Sequence, residues 1–103
     1  MKELLNEKYD SLHQVADYAS LLHVTPGHLN DTLRLQTGRT ATTLIHERII
    51  LEAKRALFHT PLSIKEIGYS LGFDDPAYFH RFFKRLTGTT PLDFRNAIRE
   101  IHH

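Results

Sequence analysis

The strongest constraint on this chain is that it states one pattern twice, about fifty residues apart. The first copy runs Tyr18-Ala19-Ser20-Leu21-Leu22-His23-Val24, then Pro26, Leu29, Leu33 and Thr37-Gly38-Arg39-Thr40. The second runs Ile67-Gly68-Tyr69-Ser70-Leu71-Gly72-Phe73, then Pro76, Phe79, Phe83 and Thr87-Gly88-Thr89-Thr90. From Pro26 and Pro76 onward the offset is 50, whereas Ala19/Gly68, Leu22/Leu71 and Val24/Phe73 keep an offset of 49. The slip falls in a turn, where an extra residue is tolerated. Each copy reads as a helix, a tight turn and a second helix opened by proline. Two such copies present two equivalent second helices, which suits a partner that itself repeats, as duplex DNA does.

Composition narrows the classes. A chain of 103 residues is one domain's worth, with a modest core for each of two small lobes. No apolar run approaches the roughly 18 residues that would span a bilayer, and the charged start Met1-Lys2-Glu3-Leu4-Leu5 is not a signal peptide. The absence of cysteine excludes disulfides and cysteine-ligated zinc. These features suit the cytoplasm. The net charge of +1 says little, but its distribution says more. Residues 77–88 carry Arg81, Lys84 and Arg85 with no acid, while the first ten residues set Lys2 and Lys8 against Glu3, Glu7 and Asp10.

Helical spacing dominates throughout. Leu4, Leu5, Val15, Tyr18, Ala19 and Leu22 are helix-spaced, and Ser11-x-x-Gln14 has the form of a capping box. Thr25-Pro26 is an N-cap and first-turn pair, opening a helix that Gly38 closes. Thr40 caps a long helix with Leu44, Ile45, Ile49, Ile50, Ala53, Ala56 and Leu57, whose apolar positions predict burial on more than one face. Ser63-x-x-Glu66 is a second capping box, with Ile64, Ile67, Gly68 and Leu71 behind it and Gly72 as its stop. Asp74-Asp75-Pro76 opens a helix with Phe79, Phe82 and Phe83 inward, and Thr90-Pro91 opens a last short one with Leu92, Phe94 and Ile98. The fold class is all-α, with about seven helices. A first lobe covers about 3–40, a connector helix about 41–59 and a second lobe about 63–97, together one domain.

Each repeat meets the local needs of a helix-turn-helix. A small residue, Ala19 or Gly68, sits where the second helix crosses the first. An apolar residue, Val24 or Phe73, follows the turn. The second helix then turns Leu29 and Leu33, or Phe79 and Phe83, inward. This leaves Asn30, Asp31 and Arg34 outside in one copy and His80, Arg81, Lys84 and Arg85 outside in the other. A helix over 41–59 spans roughly 28 Å at 1.5 Å per residue, against about 34 Å between successive major-groove faces of DNA.

The run Ser63-Ile64-Lys65-Glu66-Ile67-Gly68, Leu71-Gly72-Phe73, Tyr78-Phe79-His80-Arg81-Phe82-Phe83-Lys84 and Thr87-Gly88-Thr89-Thr90-Pro91-Leu92-Asp93-Phe94-Arg95 resembles the C-terminal DNA-binding domain of the AraC/XylS family of bacterial transcription regulators. The first half matches more loosely, and the resemblance covers roughly residues 3–96. It implies seven helices, two helix-turn-helix lobes joined by a long helix, and sequence-specific binding in two neighbouring major grooves. It also implies transcription activation through RNA polymerase, and a sensor or dimerisation domain preceding this module. On that expectation the chain is an excised domain rather than a stand-alone regulator. His102-His103 is either native or the start of a tag.

The resemblance places base-facing positions at Gly27, Asn30 and Asp31, with Arg34 further along the helix, and at Pro76, Ala77, His80 and Arg81 in the second copy. Asn30 would suit adenine, Ala77 a thymine methyl and Arg81 a guanine. Gly27 has no side chain to read with, and Asp31 departs from the basic or amide residue of many members; it can accept from cytosine but repels phosphate. The phosphate contacts implied are His28, Arg39, Thr40, Ser63, Lys84, Arg85, Thr89 and Thr90, the helix N-termini at Ser63 and Thr90 included. Arg95 reads as a structural brace of the last helix.

Rival classes fare worse. Eight histidines invite a metal, but His23 and His28 are five apart across a turn and no pair has helical metal-site spacing with nearby carboxylates. No cysteine nucleophile and no phosphate loop points to an enzyme, and no cofactor is implied. The remaining alternative is a protein-interaction module derived from such a regulator, with weak or lost DNA binding; Asp31, Asp74, Asp75 and the low net charge are its support.

Overall fold

The computed structural model describes residues 1–101; His102 and His103 lie outside the described residues. The described residues form seven helices and no strand: α1 Lys2–Lys8, α2 Val15–Leu21, α3 Pro26–Thr37, α4 Ala41–His59, α5 Ile64–Ser70, α6 Pro76–Thr87 and α7 Pro91–Ile101. The expected all-α class is what is found. Two compact units divide at Ile49/Ile50, inside α4 rather than at either of its ends.

In the first unit α2 packs on α3. Tyr18 and Ala19 from α2, Leu29 and Leu33 from α3, and Ala41, Ile45 and Ile49 from α4 make the core. Each large apolar side chain removed from water contributes about 1.5–3 kcal/mol. The Tyr18 hydroxyl, fully buried, donates to the Leu12 carbonyl at 2.8 Å. Burial pushes that hydroxyl up to about 12, with Asp10 and Asp17 adding to the shift.

The second unit is richer in aromatics. Phe73 lies 5.2 Å from Phe79 and 5.1 Å from Phe82, ring centre to ring centre, and Phe83 meets Phe94 edge-on at 5.7 Å. Gly68 is the close approach between α5 and α6: a Cβ there would stand 3.0–3.2 Å from three Phe79 side-chain atoms. Arg95 is 5% exposed and braces the end of α4. Its Nε donates to the Leu57 carbonyl at 3.0 Å, Nη1 to Leu62 at 2.6 Å and Nη2 to Thr60 at 3.3 Å. Leu57 lies in the last turn of α4 and Thr60 and Leu62 just beyond it, where carbonyls lack helical partners and a cation is favoured. Burial pulls the guanidinium below its ordinary value, and Arg99 adds to this.

The turns of the two copies share the same hydrogen bonds. Val24 N–H donates to the Ala19 carbonyl at 3.0 Å, as Phe73 N–H does to Gly68 at 3.0 Å. His23 N–H donates to Ser20, and Gly72 N–H to Tyr69, both at 3.1 Å. The turn residue is left-handed in each, with φ of 91° at Gly72 and 59° at His23, so the first copy holds a histidine where glycine is the easy choice.

The predicted caps at Thr25, Thr40, Ser63, Asp75 and Thr90 all form. Thr25 accepts from His28 N–H at 3.1 Å, Asp75 from Ala77 N–H at 2.9 Å and Thr90 from Asp93 N–H at 3.0 Å. Thr40 accepts from Thr43 N–H at 3.3 Å, and both bonds of the Ser63–Glu66 capping box are present.

Two expectations are corrected. Ser11 and Gln14 form no capping box. Helix α2 starts at Val15 with Gln14 as N-cap and no side-chain bond, so Ser11 sits too early; its hydroxyl turns back to the Lys8 carbonyl and closes α1 instead. Leu92 is 55% exposed, and Pro91 is the buried residue at the start of α7. In α4 burial on more than one face is what is found: Ala41, Ile45, Ile49, Ala53 and Leu57 are buried at every fourth position, with Leu44, Ile50 and Ala56 half-buried beside them. A spacing of four drifts about 40° per step round a helix, so four steps carry the buried positions well round it.

Candidate nucleic-acid interface

Helix α6 is oriented by what it buries. Phe79, Phe82 and Phe83 face the core of its unit, which leaves Ala77, His80, Arg81 and Lys84 exposed. Positions 77, 80, 81 and 84 are three and four apart, so they share one face. That face carries no acid; the nearest, Asp74 and Asp75, precede the helix, and the Asp75 carboxylate is engaged as its cap. Pro76 is the first helical residue and half-buried. The Arg85 guanidinium lies 5.8 Å from the Phe82 ring centre, which steers it along the flank. Among the described residues Arg81 and Lys84 make no ion pair.

Helix α3 has the same frame with different chemistry. Leu29 and Leu33 are buried, and Gly27, His28, Asp31 and Arg34 are exposed. Nothing lies within 4 Å of where a Gly27 Cβ would be, so this is open surface without a side chain to use it. Asp31 and Arg34 cancel in charge. Asn30 is half-buried, and its Oδ1 accepts from the Ala41 N–H at 2.9 Å. That bond ties the side chain to the start of α4, so the paired adenine contact expected of Asn30 would require it to leave a buried N–H.

The segments after α3 and α6 are built alike. The Thr37 hydroxyl donates to the Leu33 carbonyl at 2.7 Å and accepts from Arg39 N–H at 3.1 Å. The Thr87 hydroxyl donates to Phe83 at 2.8 Å and accepts from Thr89 N–H at 3.3 Å. This clasp fixes the backbone at Arg39-Thr40 and Thr89-Thr90. The Arg39 side chain pairs with Glu47, both about half exposed (55% and 48%), a contact worth about 0–1 kcal/mol that a phosphate could displace. Thr40, Ser63 and Thr90 use their oxygens as caps.

The structure therefore brings Ala77, His80, Arg81 and Lys84 together on one acid-free face, with Arg85 at its edge. It gathers Asp31 and Arg34 on a neutral one and turns Asn30 toward α4. Sequence reasoning missed the Asn30–Ala41 bond and the Glu47 partner of Arg39. The first had a signal: the offset of 50 sets Ala41, whose N–H needs an acceptor, against Pro91, which has none to satisfy.

Among the described residues no three of His, Asp and Glu are grouped to hold a metal ion, and no helix is long and apolar enough to cross a membrane.

Comparison with known proteins gives a consistent picture. A family model described as a helix-turn-helix domain matches residues 18–97. The chain is 34% identical over 91 residues to the arabinose operon regulatory protein of Escherichia coli, a match covering 88% of this chain and 31% of that protein. It thus spans about a third of the length of that relative. In fold it is similar to the C-terminal domain of the response regulator yesN from Fusobacterium nucleatum, at a TM-score of 0.84 and 24% identity, covering 91% of this chain and 92% of that one. It is also similar to the DNA-binding domain of AdpA solved with a target DNA, at a TM-score of 0.79 and 23% identity, covering 91% and 85%. The sequence repeat, the matched turns and these likenesses agree: the chain belongs to the AraC/XylS family of helix-turn-helix transcription regulators.

Proposed function

We propose that this chain binds double-stranded DNA sequence-specifically, with α3 and α6 as recognition helices in successive major grooves. The observation that carries it is the exposed face of α6, where Ala77, His80, Arg81 and Lys84 stand without a competing acid. Arg81 reads a guanine edge with two parallel hydrogen bonds, Ala77 meets a thymine methyl, and Pro76 and His80 border the same groove. Lys84 and Arg85 neutralise phosphates, as do His28, Arg34, Arg39 and the backbone held at Thr40, Thr89 and Thr90. The helix N-termini at Ser63 and Thr90 offer a phosphate the N–H groups that their caps leave over; at Ser63 the Glu66 carboxylate already takes one. From the family resemblance we extend the proposal to RNA polymerase as a protein partner, and to a sensor or dimerisation segment outside this sequence.

The test is equilibrium binding to duplex DNA over a range of salt. Affinity should fall steeply, since each neutralised phosphate contributes a slope of about −0.9. Arg81→Ala should cost about 1–3 kcal/mol on a preferred site and little on random DNA; Lys84→Ala should weaken both alike and flatten the slope by about one. A flat salt response would instead support docking to protein.

A further inference from the structure

We infer that the two units divide the work on DNA: the second reads base edges, while the first grips the duplex without discriminating sequence, because Asn30 is held as a positioning residue at the start of α4. The inference rests on the DNA binding proposed above and assigns how specificity is distributed within it.

The offset of 50 pairs Asn30 with His80 and Ala41 with Pro91. Ala41 is the first residue of α4 and fully buried, so its N–H has neither a helical partner nor water. Asn30 Oδ1 supplies the acceptor at 2.9 Å. Pro91 has no N–H, so His80 carries no such duty and lies exposed.

An asparagine selects adenine by presenting an acceptor and a donor together. Oδ1 keeps a second lone pair, but its bond to a buried N–H ties the half-buried side chain to the start of α4, so acceptor and donor cannot swing out together onto one adenine edge. The amide N–H alone meets acceptors on adenine, guanine and thymine alike. Turning Oδ1 to a base would strand a buried N–H, which the protein resists. The neighbours do not make up the loss. Gly27 has nothing to read with. Asp31 can accept from a cytosine amino group, but it stands where the second copy has Arg81 and repels the backbone that would bring a base close, and Arg34, further along the helix, is assigned to phosphate. The repeat is therefore symmetric in fold and asymmetric in readout.

The test uses the full chain and a duplex site selected from random sequence, with each base pair substituted in turn. For the wild type, substitutions in one half should weaken binding about tenfold, and those in the other half less than about threefold. Arg81→Ala should abolish the preference at the base pair it reads in the sensitive half and leave the other positions of that half as they were. Ala41→Pro removes the N–H while keeping the Thr-Pro start that Thr90-Pro91 already uses. It should free Asn30 and create an adenine preference of about tenfold in the tolerant half. Asn30→Ala should leave the pattern across the panel unchanged, whatever it does to overall affinity.

Two equally sensitive halves in the wild type, or loss of a base preference in Asn30→Ala, would overturn the division while leaving DNA binding in place. An Ala41→Pro chain that folds as the wild type yet gains no preference would overturn Asn30 as the cause. Failure to select any site, with binding insensitive to salt, would overturn DNA binding and the division with it. The wild-type panel decides the division even where a variant fails to fold.

Discussion

Gly68→Ala tests whether the two copies are packed as variants of one unit. The added Cβ would lie 3.0 Å from Phe79 Cδ2, 3.1 Å from Cγ and 3.2 Å from Cβ. The Phe79 ring is fully buried and packed against Phe73 at 5.2 Å and Phe83 at 6.2 Å, so it cannot swing aside. Overpacking of this kind costs about 1–3 kcal/mol. Alanine in place of glycine inside a helix returns about 1 kcal/mol. The net expectation is a loss of about 0–2 kcal/mol. The first copy already holds alanine at the matching place, Ala19, and has Leu29 where the second has Phe79. Phe79→Leu alone opens space and should cost on the order of 1–2 kcal/mol. The double variant recreates the first copy's pair, so it should be less destabilised than the sum of the singles by about 1–2 kcal/mol. Urea unfolding of the wild type, both singles and the double measures this. Additivity within about 0.5 kcal/mol would show that the contact does not set the packing of α6, and would refute the reasoning.

Arg95→Met keeps the volume of the side chain but strips donors from the carbonyls of Leu57, Thr60 and Leu62; a loss of about 2–4 kcal/mol is expected in chemical denaturation. Tyr18 favours its neutral hydroxyl in the folded state, with a value of about 12 against the ordinary 10.0. Stability should thus be unaffected by this group below about pH 10 and fall as pH climbs toward 12; Tyr18→Phe should remove both that decline and the late phase of the phenolate absorbance titration. Gly72→Ala should cost about 1–2 kcal/mol by thermal or denaturant unfolding, because its φ of 91° suits glycine far better than any other residue.

What was legible in the sequence was mostly local. Thr25, Ser63, Asp75 and Thr90 announce helix starts because each bonds a backbone N–H two or three residues on, within its own segment. Phe79, Phe82 and Phe83 announce the inward face of α6 by spacing alone. Ser11 misled because the capping pattern was satisfied in sequence while the helix began later. Arg95 was readable as a brace, but its three acceptors, 33 to 38 residues away, were not. Asn30 was hidden for a chemical reason: the same amide that reads adenine can also accept from a backbone N–H, and its partner lies 11 residues on, across a turn. Leu92 shows the limit of apolar spacing at a helix start, where the proline before it takes the buried place.

The most direct measurement of the central claim is selection of duplex DNA from random sequence by this chain and by Arg81→Ala, at two salt concentrations. The expected result is an enriched block holding a guanine that Arg81→Ala no longer selects, with recovery falling as salt rises. No enriched sequence from the wild type, or the same guanine enriched by both chains, would contradict the assignment of α6 as the reading helix.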